Sequence, residues 1–290
     1  MLRRQFLFTA TAGLLNAAPR AQMLLAANTA MLGFSLTDAV KACRDLGFPA
    51  IEIQPMGVPE ATPNKFPGFA FDQFPETARQ ALKQQLRGFR RITTHLPYTG
   101  LDWMSPDPEH KRRSIAAVEE AMRATGYFGA SAAVLHAQVL KDNPIGDPPL
   151  PNEYLDRIRG WGDLARKLGF RIAAETGYPR SVAGFTGFFE MINHPNVGAT
   201  LDVGHQKGYR ELTARVKPDQ KASPEGIRAY NDINNQLVEQ LGPRLFNLHI
   251  HDIQPDSWDE HKPLIHGFVD YPRLLASLRK INYDGCLVFE

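Results

Sequence analysis

The chain has 290 residues, 43% of them apolar and 22% charged, which supports a large core and excludes a disordered polar chain. Its two cysteines, Cys43 and Cys286, exclude a CxxC zinc module or a disulfide framework and leave at most one bridge. The formal charge is +2, from 33 Lys and Arg against 31 Asp and Glu, so no overall pull toward nucleic acid is expected.

At the N-terminus, Arg3-Arg4-Gln5-Phe6-Leu7 precedes a short apolar run from Phe8 to Ala18, broken by Thr9, Thr11, Gly13 and Asn16. Small residues follow, including Ala26, Ala27 and Ala30. An arginine pair, a weak apolar stretch and no acids resemble a twin-arginine export signal over residues 1–30, with a periplasmic destination. The run is too short for an ordinary membrane-spanning helix, and no other segment approaches one. Removing residues 1–30 takes Arg3, Arg4 and Arg20 away and leaves 30 basic against 31 acidic residues, a net of −1.

From there short apolar runs alternate with helical periodicity. Leu32–Leu36 reads as a first strand, followed by a helix over Thr37–Leu46. Ala50–Gln54 is the second strand. A Pro- and Gly-containing loop then leads to a helix over Glu76–Phe89. Ile92–Leu96 and Ala132–His136 are strands three and four, with a helix at Arg112–Thr125 between them. A Pro-rich loop, Asn143 to Pro151, leads to the helix Tyr154–Leu168. Arg171–Glu175, Val197–Asp202, Leu245–His249 and Gly285–Glu290 are strands five to eight. Helices at Val182–Ile192, Glu225–Leu241 and Tyr271–Ile281 separate them.

Strands separated by helix-length crossovers run parallel, and eight such units over residues 31–290 predict an α/β fold, a closed (β/α)8 barrel. An open doubly wound sheet is the competing arrangement. No helix follows the eighth strand, so the last helix is absent from this sequence, as in a truncated chain or a barrel with an open flank. The long loops after strands two, four, six and seven share the C-terminal side, where barrel enzymes place substrate contacts.

Six consecutive strands finish in a group able to bind metal or move a proton. They are His95 in Thr94-His95-Leu96, His136, Glu175, Leu201-Asp202-Val203-Gly204-His205, Leu248-His249-Ile250-His251-Asp252, and Glu290. The loop after strand seven adds Asp259-Glu260-His261. One such residue alone is more often a cap than a ligand, but parallel strand ends converge at one mouth. Carboxylate oxygen and imidazole nitrogen there suit a divalent ion, Mn, Mg, Co or Zn. His110 and His194 read as surface residues, Cys43 as core, and His251 and Asp252 as structural. His266 reads as a substrate contact or a cap, and Trp103 and Trp258 as pocket lining or loop packing.

From Leu32 to Glu290 these motifs resemble the sugar phosphate isomerase/epimerase group of xylose-isomerase-like TIM barrels. The resemblance implies a metal held by Glu175, Asp202, His249 and Glu290, with Glu175 and Glu290 as an acid/base pair. It implies a substrate or second-metal role for His205. The arginine that some ketose epimerases carry downstream is not evident after His249, where Ile250 to Gln254 follow. Type IV apurinic endonucleases share the superfamily. Their three-zinc pattern also maps onto His95, His136, Glu175, Asp202, His205, His249, Asp259, His261 and Glu290.

The leading expectation is a metal-dependent isomerase or epimerase of a sugar or keto-sugar, working by proton abstraction next to a carbonyl. The expected partner is a small carbohydrate, with no nucleic acid, no stable membrane anchor, and room for a homo-oligomer. The alternatives are a keto-sugar lyase or dehydratase, a multinuclear zinc phosphoesterase, and a non-catalytic sugar-binding barrel.

Overall fold

Alternation of strand and amphipathic helix produces eight strands that close on themselves. The computed structural model describes residues 22–138 and 150–290. The strands are β1 (Leu24–Asn28), β2 (Ala50–Ile53), β3 (Arg91–His95), β4 (Ala132–Leu135), β5 (Arg171–Glu175), β6 (Val197–Asp202), β7 (Leu245–Ile250) and β8 (Cys286–Phe289). They pair in sequence order, all parallel. Leu24 opposite Cys286 and Ala26 opposite Val288 close the barrel.

Around it lie α1 (Leu36–Asp45), α2 (Glu76–Leu86), α3 (Pro108–Phe128), α4 (Asn152–Leu168), α5 (Val182–Ile192), α6 (Arg210–Arg215), α7 (Pro224–Leu241) and α8 (Tyr271–Lys280). Among the described residues no helix follows β8. Helix α3 starts four residues before the predicted Arg112. Asp107 caps it by accepting from the Glu109 N–H (2.9 Å), and Pro108 fits the first turn. It ends at Gly129, whose φ of +69° suits glycine. The short α6 falls in the long loop after strand six.

The first strand is not where periodicity placed it. Leu32 and Phe34 are exposed in a turn, while Leu24–Asn28 forms β1. The small apolar residues of 24–28 resemble the end of an export signal. In the barrel Leu24 and Ala26 pack the narrow interior instead, while Ala27 joins the outer layer. The barrel therefore begins by Leu24 rather than at residue 31, and removal of residues 1–30 would delete β1. The Arg3-Arg4 pair and the run to Ala18 lie outside the described residues.

Two apolar layers join barrel to helices. Ile51 and Ile53 point outward against Val40 and Cys43 of α1 and Leu82 and Leu86 of α2. A larger layer includes Trp161 of α4 and Phe185, Phe188 and Phe189 of α5. Each such side chain contributes about 1.5–3 kcal/mol by burial. Trp103 and Trp258 belong here too. Trp103 packs edge-on against Trp161 with ring centroids 5.2 Å apart, and Trp258 packs on Tyr230, so both are core side chains. Cys43 and Cys286 are both free and buried in different layers, so the one possible bridge does not form.

The barrel interior changes character along its axis. Leu24, Ala26, Ala50, Cys286 and Val288 pack the lower part. Above them the period of two brings Asn28, Glu52, Thr93 and Asn247 inward, all buried. One more step along β3 and β7 brings His95 and His249.

Candidate metal centre

Hydrogen-bonded register brings the strand ends together. Asp202 lies opposite His249 in the β6–β7 ladder, and the Glu290 N–H donates to the Ile250 carbonyl (3.3 Å). Glu290 thereby reaches the centre from the strand that closes the barrel. Thr176, just after β5, ties β5 to β6. Its hydroxyl donates to the Asp202 carbonyl (3.1 Å) and accepts from the Asp202 N–H (3.0 Å).

His249 is the hub. Its Nδ1 lies 2.7 Å from Glu175 Oε1, 2.5 Å from Glu290 Oε2 and 3.8 Å from Asp202 Oδ2. Glu175, Asp202, His249 and Glu290 each offer one ligand atom within 4.8 Å of the others. Yet both Glu175 oxygens and both His249 ring nitrogens lack a hydrogen bond of good direction while fully buried. Three carboxylates converging on one imidazole nitrogen without directed hydrogen bonds are arranged around a point rather than toward each other. That is what a divalent cation requires, and the oxygen-rich set with one imidazole suits Mn, Mg, Co or Zn. The four residues fit a divalent metal cofactor.

A second group adjoins the first. His136 Nε2 lies 2.6 Å, and His95 Nε2 3.9 Å, from Glu175 Oε2. His95, His136 and Glu175 form a further set within 4.8 Å. His95 Nδ1 faces its own Leu96 carbonyl (3.0 Å), leaving Nε2 turned toward Glu175. The Tyr98 ring stacks on His136, centroids 4.6 Å apart.

The electrostatics follow from this crowding. Burial by itself would raise the Glu175 carboxyl, but His136, His205 and His249 override it and hold it well below its ordinary value. Asp202 and Glu290 are likewise lowered against burial, by His205 and His251 and by His249 respectively. Burial disfavours charge on His205, yet Asp202 and Glu175 raise it from 6.5 to about 9. His249 is raised well above its ordinary value, against burial, by Glu290, Glu52 and Glu175. The neighbouring carboxylates thus favour the protonated forms of His205 and His249.

His251, read from sequence as structural, clamps a ligand. Its Nε2 lies 3.1 Å from both Asp202 oxygens, and the His261 N–H donates to its Nδ1 (3.0 Å). Gly204 makes room: a Cβ there would sit 2.4 Å from the His251 ring and 2.5 Å from Glu260 Cβ. His205 stands 3.9 Å from both Asp202 and Glu175. His261 stacks on His251, centroids 4.4 Å apart, at the mouth but outside the ligand groups. Asp259 does not join: it is exposed on the β7–α8 loop, where Ser257 caps its N–H. The loop runs outward there because Gln254 bonds across it to Asp259 and Trp258 is anchored in the core. His110, His194 and His266 stay away from the centre. The first two bond Gly100 and Asp163, and the last is exposed.

Sequence reasoning missed Glu52. It is fully buried beneath the hub, with Oε1 3.2 Å from His249 Nε2. An acid at an inward position of Ala50-Ile-Glu-Ile was its available signal. Beside Glu175 opens a cavity of about 360 Å³, bordered by His136, Tyr178, Arg180, His205 and Lys207. It is large enough for a monosaccharide and polar on several sides.

Comparison with known proteins agrees with this frame. An uncharacterized protein of Methanocaldococcus jannaschii is 23% identical over 217 residues. The match spans 69% of this chain and 64% of that protein's length. The crystal structure of a D-tagatose 3-epimerase-like protein superposes with a TM-score of 0.62 at 18% identity, over 92% of this chain and 90% of that one. A D-psicose 3-epimerase crystallised in the presence of D-fructose gives 0.65 at 14% identity, over 92% and 84%. At such identities these likenesses concern the fold. The family of xylose isomerase-like TIM barrels matches residues 40–290, most of the chain, and to that family the protein belongs.

Proposed function

We propose that this protein is a metal-dependent isomerase or epimerase of a sugar or keto-sugar. The observation that carries the reading is the convergence of two carboxylates, the buried Glu175 and the partly buried Glu290, on His249 Nδ1, with Glu175 bordering a monosaccharide-sized cavity. Epimerases of ketohexoses among the structures of like fold support the same class.

Glu175, Asp202, His249 and Glu290 would hold the cation. When bound, it supplies Lewis-acid stabilisation of the negative charge that develops on a substrate oxygen. Glu175, lowered and therefore ionised at neutral pH, borders the cavity and takes the proton from the carbon next to the carbonyl. Glu290, just after β8, would return a proton to the carbon from its other face. His205 and His136 border the same cavity with donors for hydroxyl groups. Proton return to the same carbon on the other face gives an epimer, and return to the neighbouring carbon gives an isomer.

The test is incubation of the metal-loaded protein with ketohexoses and keto-sugars in D2O. Deuterium entering the carbon next to the carbonyl, and lost on Glu175→Gln, supports the proposal. Expulsion of water or a glycosyl group after the same exchange would make it a lyase. No exchange with any such sugar would overturn it. One observation favours a second reading, a multinuclear phosphoesterase: His95, His136 and Glu175 form a further ligand set. Two or three zinc ions per chain and phosphoester hydrolysis would support that reading.

Export to the periplasm is part of the proposal, with a shorter leader than residues 1–30. Arg3-Arg4 and the apolar run support it, and β1 requires cleavage before Leu24. Among the described residues no helix is long and apolar enough to cross a membrane.

A further inference from the structure

Beneath the ligand cluster lies a carboxylate that the proposed chemistry does not use. Glu52 is wholly buried on β2. Its Oε1 accepts from Asn28 Nδ2 (3.0 Å), and its Oε2 accepts from Thr93 Oγ1 (2.9 Å) and Asn247 Nδ2 (3.1 Å). No lysine or arginine pairs with it in the described residues. The group it faces is the far nitrogen of His249, Nε2, 3.2 Å from Oε1.

A buried carboxylate kept at the cost of desolvation calls for a use. Its three neutral donors come from β1, β3 and β7, so it is fixed from several sides and cannot swing away. Asn28 is itself held, accepting from Gln54 Nε2 (3.0 Å) and the Ala30 N–H (2.8 Å). Among the described residues no other carboxylate lies within 4.0 Å of His249 Nε2. When Nδ1 is given to a cation the ring's remaining proton sits on Nε2, and Glu52 Oε1, 3.2 Å away though not aligned as a hydrogen bond in the metal-free structure, is the carboxylate oxygen placed to accept it.

We propose that Glu52 is the positioning residue of the metal centre: it takes the Nε2–H of His249, fixes the ring's tautomer and rotation, and so aims Nδ1 at the space between Glu175, Asp202 and Glu290. The inference rests on the reading of that cluster as a divalent-metal site. The same carboxylate raises the electron density of the ring and strengthens Nδ1 as a ligand.

The experiment compares the wild-type protein with Glu52→Gln and Thr93→Val. Thr93→Val removes one donor from the same network without touching His249. Co2+ affinity is measured by equilibrium dialysis and the cobalt absorption spectrum is recorded. Long-range 1H–15N correlation on the Zn2+-loaded protein reports which His249 nitrogen carries the proton. The proposal expects Glu52→Gln to weaken Co2+ binding about tenfold to hundredfold. It also expects an altered cobalt spectrum and loss of the slowly exchanging Nε2–H signal, while Thr93→Val keeps both signatures. Unchanged affinity, spectrum and tautomer in Glu52→Gln would overturn it, as would equal changes in both variants. If Glu52→Gln does not fold, the tautomer in the Zn2+-loaded wild-type protein decides, and an Nδ1–H ring there sinks the proposal. Wild-type protein that binds no divalent ion defeats the metal reading itself, a result distinct from the failure of Glu52 alone.

Discussion

Supplying the cation should stabilise the folded protein in a pH-dependent way. Without metal, Glu175, Asp202 and Glu290 crowd His249, whose imidazole is raised well above its ordinary value and holds a proton. A divalent ion must displace that proton from Nδ1. At a cation concentration 100 times Kd the linkage stabilisation is about 2.7 kcal/mol. With an unfolding entropy of about 2.1 cal/mol/K per residue, a chain of this length melts about 4 °C higher. If one proton is displaced, lowering the pH by one unit weakens binding about tenfold, and the shift falls to about 2 °C at the same cation concentration. The assay is differential scanning calorimetry of chelator-treated protein, with Mn2+, Mg2+, Co2+ or Zn2+ added at pH 6, 7 and 8. Asp202→Asn serves as the control and should lose most of the shift. No shift with any of the four ions, or a shift that grows as pH falls, would refute the reasoning.

Three further outcomes follow from the same geometry. His251→Ala removes the 3.1 Å contacts to both oxygens of Asp202, so metal affinity should fall about tenfold while the chain still folds, as dialysis and circular dichroism would show. Trp103→Ala should cost about 3–5 kcal/mol in urea unfolding, because the ring packs on Trp161 in the core, with metal content per folded molecule unchanged. In chelator, His205 binds its proton more tightly folded, at about 9, than unfolded, at about 6.5. Its contribution of up to roughly 3 kcal/mol is whole below pH 6.5 and lost as pH rises through about 9, so the melting temperature should fall over that range. The lowered carboxyls of Glu175, Asp202 and Glu290 act oppositely, their contribution being lost as pH falls below about 4.

Legibility varied by element for physical reasons. Arg171–Glu175, Val182–Ile192 and Val197–Asp202 appear at their predicted bounds because apolar runs there end in sharp polar turns. Leu24–Asn28 was read as part of a leader, since a strand of small residues inside a barrel and the end of an export signal share a composition. Leu32–Leu36 looked like a strand but lacks a neighbouring ladder to pair with, and its Leu32 and Phe34 stay in solvent.

Local sequence determined the alternation of eight strands with helices and the ligand-type residues at successive strand ends, because periodicity and turn chemistry act over a few residues. Which of those residues meet was decided by the closed barrel. Its register sets Asp202 opposite His249 and brings Glu290 from the last strand to the same nitrogen. It leaves Asp259 outside on a loop whose path depends on Trp258 packing. It also places Glu52, almost two hundred positions from His249 in the chain, directly beneath that histidine. Such contacts depend on the stagger of strands around a circle, a quantity that exists only after all eight have paired.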